Sequence, residues 1–167
     1  MKIFFIIILL LISFAVQSGN RPSTPTSDES ATSAATLTRA DIIRFAKTLL
    51  GTPYRIASSN PLKGFDCSGF VSYVFRNFKI NLPHSSRAFD ALGAALKPEE
   101  FKVGDVLVFY GFKDNDRIGH VGIICEADGL NSRFIHSSSG KAHCVTISEL
   151  GSGMYKKRFY KCIDVIN

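Results

Sequence analysis

Apolar residues fall into two regimes along the 167-residue chain. Up to about residue 80 they recur at spacings of three and four, the repeat of an amphipathic helix. After Pro98 they come in short runs rich in Val, Ile, Phe and Tyr, the signature of strands. Ile42, Ile43, Phe45, Ala46, Leu49 and Leu50 mark one helix face. Thr38-Arg39-Ala40-Asp41 opens it as a capping box with Asp in the usual Glu position, and Gly51 stops it. Phe70, Val71, Val74, Phe75 and Phe78 mark a second helix, running from Cys67 to about 77–79. Ser85 or Ser86 can cap a third helix that ends near Leu96.

Residues 106–110, 120–125, 133–136, 145–147 and 158–166 predict about five strands, with a turn at Asp128-Gly129 between the second and third. Helices first and strands afterwards, joined by short connections, predict an α+β fold. Its N-terminal helices pack on a C-terminal antiparallel sheet.

The N-terminus adds two segments. Met1-Lys2, an apolar stretch over 3–16 and Gln17-Ser18-Gly19-Asn20 have the layout of a secretory signal peptide, 1–18, cleaved after Ser18. The apolar stretch is shorter than the roughly 20 residues that span a bilayer. No cysteine lies near this boundary to carry a lipid anchor. Residues 19–37, rich in Ser, Thr, Pro and Ala, read as a disordered linker, which leaves 38–167 as the folded domain. The expected product is an exported monomer of the periplasm or cell envelope, meeting the membrane only through its signal peptide.

The chain carries a net charge of +6, and because 1–37 holds two charges of each sign, all of it lies in 38–167. That balance suits an anionic polymer outside the membrane. Nucleic acid is disfavoured by export and by the lack of a basic run interleaved with aromatics. Lys156-Lys157-Arg158 is the one basic cluster and reads as a solvated strand end.

Chemistry concentrates in a few residues. Cys67 stands at a helix start with Asp66 as N-cap, where the positive end of the helix dipole favours the reactive thiolate. Taken alone, Cys67 reads as a small buried apolar residue. His120 leads one predicted strand and His136 ends the next, so a hairpin across Asp128-Gly129 brings them to one sheet end. Taken alone, each is a polar strand-end residue. Together the three form a Cys–His–His set, with His120 as the base that takes the thiol proton and His136 orienting its ring. Cys and His also ligate zinc, but paired ligand spacings are missing, so neither metal nor cofactor is expected. Cys125, Cys144 and Cys162 remain, enough for at most one disulfide; Cys144–Cys162 is the pair considered.

Five stretches in order make the chain recognisable. They are Gly51-Thr52-Pro53-Tyr54-Arg55, Phe65-Asp66-Cys67-Ser68-Gly69-Phe70-Val71, Val103-Gly104-Asp105-Val106, Gly119-His120-Val121-Gly122-Ile123 and Phe134-Ile135-His136-Ser137. Together they resemble the NlpC/P60 family of cell-wall cysteine peptidases. The resemblance implies a papain-like α+β fold and hydrolysis of amide bonds in peptidoglycan stem peptides. The bond would be D-γ-glutamyl–diamino acid, or a diaminopimelate–D-alanine cross-link. It implies Cys67 as nucleophile, His120 as general base and acid, and His136 as the orienting residue. Tyr54, Asp66 and Ser68 would contact substrate or the oxyanion. A catalytically inactive wall-binding module of the same fold is the alternative. The chain departs from the family pattern at Ile56-Ala57-Ser58-Ser59-Asn60, where relatives often carry a glycine pair. It departs again at His84 and at Phe89, where arginine and glutamine are frequent; these positions are expected near the cleft.

Overall fold

The computed structural model describes residues 38–113 and 116–166; the signal peptide and linker expected over 1–37 lie outside them. Helix α1, Arg39–Lys47, begins at the anticipated capping box. The Thr38 hydroxyl accepts from Asp41 N–H at 3.2 Å, and the Asp41 carboxylate accepts from Thr38 N–H at 3.0 Å. A hairpin of two-residue strands follows, β1 (Ser59–Asn60) and β2 (Gly64–Phe65). Helix α2, Cys67–Arg76, is the cysteine-led helix. Phe70, Val71, Val74 and Phe75 on its apolar face are all fully buried.

The main sheet consists of β3 (Val106–Tyr110), β4 (Ile118–Glu126), β5 (Arg133–Ser137), β6 (Val145–Glu149) and β7 (Phe159–Ile163). Its order is β6-β5-β4-β3-β7, antiparallel throughout. The α+β expectation of five strands is therefore met. The two sheet faces serve different partners. Val106, Val108, Val121, Ile123 and Ile135 face α1 and α2. Leu107, Phe109, Ile124 and Phe134 face Leu150 and Tyr155. Burial on both sides explains why β3 reads as a continuous apolar run rather than an alternating one.

Two elements differ from expectation. The third helix is only a 3₁₀ turn, Ser86–Ala91, without a side-chain cap at Ser85. Phe89 is its single buried residue, so no apolar stripe exists to hold a longer helix. The Nζ of buried Lys161 also donates to the carbonyls of Asp90, Leu92 and Gly93 at 2.8, 3.1 and 3.2 Å, capping the segment there. Secondly, a short helix α3, Gly153–Arg158, precedes β7. Lys156-Lys157-Arg158 is its last turn, where cations complement the helix dipole, and is no strand end.

A buried ion pair ties the termini of the domain together. Arg39 of α1 pairs with Asp105, which is fully buried, at 2.7 Å, and also with Asp164 after β7. Among the described residues no helix is long and apolar enough to cross a membrane.

Candidate active site

Cys67 is placed by backbone contacts on both sides. Asp66 N–H donates to the Ser58 carbonyl at 2.9 Å, and Asp66 Oδ1 accepts from Gly69 N–H at 2.6 Å, the expected N-cap. A side chain at Gly69 would put its Cβ 2.2 Å from the Ser58 carbonyl oxygen, so only glycine lets the helix start sit this close to the hairpin. The sulfur then lies 4.0 Å from the Gly119 carbonyl of β4, with the Val121 N–H beside it. The β4–β5 ladder has stopped by there. Its last pair toward this end is Ile123↔Ile135, although β4 begins at Ile118 and β5 runs to Ser137. Cys67, whose helix packs on one face of the sheet, thus meets β4 beyond its last residue paired with β5, while Ser137 of β5 donates its hydroxyl to the Phe65 carbonyl at 2.7 Å.

The histidines belong to the other face. His120 lies opposite Phe109 in the β3–β4 register, and its ring packs on Phe109 at 5.8 Å and His136 at 4.9 Å. His120 Nε2 and His136 Nδ1 are 2.9 Å apart, which joins the two predicted residues directly. Gly122 makes that crossing possible. A Cβ there would lie 2.5 Å from the Phe134 ring and 3.0 Å from His136 Cβ. Among the described residues no hydrogen bond joins the Cys67 sulfur to the His120 ring; the contact runs through the adjacent Gly119 carbonyl.

His136 Nε2 in turn meets Ser148 Oγ at 3.0 Å and the Tyr155 hydroxyl at 3.3 Å. Neither residue was foreseen from sequence. Ser148 lies one residue beyond the expected strand end, and one more step of the two-residue alternation would have placed it opposite Phe134, where it stands. Tyr155 sits on the unforeseen α3 and packs against His136 with ring centroids 5.4 Å apart.

Burial governs the protonation of all three groups. It pushes the Cys67 thiol up to about 11, reinforced by the Asp66 charge and opposed by the N–H groups of Val121, Ser68 and Cys67. The expected thiolate is therefore reversed: desolvation outweighs the helix start. Burial also holds His120 well below its usual 6.5, helped by positive charge on His136 and Arg158. His136 falls to about 3 through burial and then Arg158. At neutral pH the site contains a neutral thiol and two neutral imidazoles.

The three remaining predicted residues occupy different positions. The segment carrying Tyr54 runs beside the start of β6, with Gly51 N–H to the Val145 carbonyl at 2.9 Å and Tyr54 N–H to the His143 carbonyl at 2.9 Å. Burial raises the pKa of the Tyr54 phenol, with negative charge on Cys67 and Asp66 adding to this, and its ring packs on His143 with centroids 5.5 Å apart. Asp66 is half-buried at the helix start. Ser68 is buried, and its hydroxyl donates to the His84 carbonyl at 2.8 Å. That hydroxyl holds the 82–86 loop on the helix. A cavity of about 510 Å³ adjoins His120, lined also by Gly119, Ser138, Thr146, Ser148 and Tyr155 among others.

Residues 51–164 match the NlpC/P60 family model. The chain belongs to the NlpC/P60 family. It is 36% identical over 118 residues to the gamma-DL-glutamyl hydrolase of Bacillus subtilis, covering 70% of this chain and 27% of that protein. It is 31% identical over 118 residues to the murein DD-endopeptidase MepS/murein LD-carboxypeptidase of Escherichia coli, covering 70% of this chain and 57% of that protein. Among solved structures, an NlpC/P60 family protein from Bacillus cereus superposes with a TM-score of 0.69 at 27% identity. The match covers 78% of this chain and 41% of that one. The chain thus spans only part of the length of the curated relatives it matches.

Three departures from the NlpC/P60 pattern now have locations. Ala57 adopts φ +53, a left-handed conformation that a glycine would hold without strain. Phe89 is fully buried in the main core rather than in a cleft. The His84 ring is exposed. All four cysteines are free. Cys144 precedes β6 and Cys162 lies on β7, the two opposite edges of the sheet. At about 4.8 Å per strand that separation far exceeds the ~7 Å Cα limit for a disulfide, so the Cys144–Cys162 pair is excluded.

Proposed function

We propose that this protein is a cysteine endopeptidase that hydrolyses an amide bond in peptidoglycan stem peptides, with Cys67 as nucleophile, His120 as base and acid, and His136 as the orienting residue. The observation that carries the reading is the 2.9 Å contact between His120 Nε2 and His136 Nδ1, beside a thiol that touches the residue preceding His120. With Nε2 so engaged, His120 keeps Nδ1 for the thiol. The productive arrangement has His120 Nε2–H donating to His136 Nδ1, and His136 Nε2–H donating to Ser148 Oγ.

The resting pair is neutral, so charge forms only during reaction. Substrate in the cleft brings its carbonyl to the sulfur as His120 Nδ1 takes the thiol proton. The S–C bond forms, and the oxyanion is held by backbone N–H groups such as that of Cys67. Imidazolium His120 returns the proton to the leaving amine as the C–N bond breaks. Water then hydrolyses the thioester with His120 again as base. Tyr54 and Asp66 flank the acyl side of the sulfur.

The proposed bond is D-γ-glutamyl–diamino acid, in keeping with the name of the B. subtilis relative. The diaminopimelate–D-alanine cross-link is the alternative, in keeping with the E. coli one. In this reading 1–18 directs export, 19–37 is the linker, 38–167 is the catalytic domain, and the enzyme works as a monomer in the periplasm or envelope. Mass spectrometry of products from defined muropeptides tests it. Fragments cut at the D-γ-glutamyl bond support the proposal, while wall binding without any fragment supports the inactive module instead.

A further inference from the structure

The 510 Å³ cavity has a charge that the catalytic roles leave unused. Two cations line it, Lys141 on the exposed loop before β6 and Arg158 at the end of α3. Arg158 is half-buried and braced, its Nε donating to the Tyr110 carbonyl at 2.9 Å. The ion pairs among the described residues are Arg39 with Asp105 and Asp164, Arg44 with Asp41, and Arg133 with Glu126; no described carboxylate pairs with Lys141 or Arg158. The rest of the lining mixes the hydroxyls of Ser138, Ser139, Thr146 and Ser148 with Phe112 and Met154, and the Arg158 guanidinium lies over the Phe112 ring at 5.7 Å. A cavity of this make-up has donors and positive charge to offer, and suits a carboxylate.

Its position says which part of a substrate it would hold. His120 lines the cavity, and so does Gly119, whose carbonyl is 4.0 Å from the Cys67 sulfur. Cys67, Tyr54 and Asp66 do not line it; the cavity meets the sulfur's surroundings through Gly119. His120 delivers the proton to the leaving amine, so the residue bearing that amine lies on the His120 side, in the cavity. Positive charge on the leaving side matches a peptide with a carboxylate beyond the cut.

Resting on the peptidase reading above, we infer that this cavity binds a free carboxylate of the leaving residue through Lys141 and Arg158, and so selects a diaminopimelate-type residue over lysine or a carboxamide. The hydroxyls of Thr146 and Ser138 complete the cradle. Lys141 is the adjustable member, since it is exposed on a loop, whereas Arg158 also braces β3.

The test uses the full chain and two stem peptides, identical except that the leaving diaminopimelate carries a free carboxylate in one and a carboxamide in the other. Wild type should favour the carboxylate by about tenfold in kcat/KM, mainly through KM, as one charge-assisted contact implies. Lys141→Ala should bring that ratio down toward one, Lys141→Glu should invert it, and Lys141→Arg should keep it. A wild-type ratio within twofold of one, or a ratio unmoved by Lys141→Glu, overturns the inference while leaving the peptidase reading intact. Cleavage of neither peptide by wild type overturns the peptidase reading and this inference with it.

Discussion

His120 Nε2 and His136 Nδ1 stand 2.9 Å apart across a glycine, Gly122, that has no side chain to separate them. In the proposed mechanism the contact fixes which nitrogen of His120 serves the thiol. Replacing His136 with Leu removes the acceptor and frees the ring to turn. His136→Leu is expected to lower kcat by about 10²–10⁴-fold with a smaller change in KM. His136→Asn, which restores an acceptor, should recover part of the loss. Steady-state kinetics on a defined muropeptide separates the two; equal activity in all three proteins would remove His136 from the mechanism.

Gly122 gives a second handle on the same contact. Gly122→Ala places a methyl 2.5 Å from a Phe134 ring that is fully buried and locked against Phe109 and Tyr155. Relief must come from a shift of β5, and His136 moves with it. The expected result is a loss of about 1–3 kcal/mol in stability, the usual cost of overpacking, and a kcat loss exceeding what the residual folded fraction explains. Denaturant titration beside kinetics checks both; wild-type kcat in Gly122→Ala would refute the role given to the crossing.

The thiol and the histidines make opposite pH predictions. With Cys67 at about 11, iodoacetamide labelling of its peptide should be slow at pH 7 and rise about tenfold per pH unit through pH 10. Fast labelling that is flat between pH 6 and 8 would reveal a resident thiolate. His136, at about 3 when folded against an ordinary 6.5, has no effect on stability above pH 6.5, where both states are neutral. As pH falls from 6.5 toward 3, the unfolded chain takes up a proton that the folded one refuses. Stability therefore drops through that window, by up to ~1.4 kcal/mol per pH unit. Thermal melts across pH 4–8 should show this fall, and His136→Asn should make it shallower, leaving the share due to His120.

Far from the site, Asp105 tests the architecture. It is fully buried and paired with Arg39, which also reaches Asp164, so one cluster clasps α1, the start of β3 and the C-terminal segment. Asp105→Ala leaves Arg39 half-partnered and strips an acceptor from Lys102 N–H. A loss of about 3 kcal/mol in stability is expected, with little change in kcat for the protein that remains folded. Denaturant midpoints measure it.

How much of this was legible beforehand differs by element. The cysteine helix announced itself because its anchors follow one period and its cap is a single residue, Asp66. The capping box at Thr38 was equally local. The 3₁₀ turn at Ser86–Ala91 was not legible, since its end is set by Lys161, some seventy residues away in sequence. Helix α3 escaped because only Tyr155 of its six residues is buried, which leaves no repeat to read. At the site, residue types and order sufficed to nominate Cys67, His120 and His136. The contacts of Ser148 and Tyr155 needed the register of β5 on β6 and the return of α3. The protonation states depended on burial, which reversed what the helix dipole alone suggested for Cys67.

The central claim is that Cys67 carries the chemistry. Its most direct measurement is the release of stem-peptide fragments from purified peptidoglycan by wild type and by Cys67→Ala, both verified as folded by their thermal melts. The account predicts fragments from wild type and none above background from Cys67→Ala. Comparable release by the two proteins would contradict it.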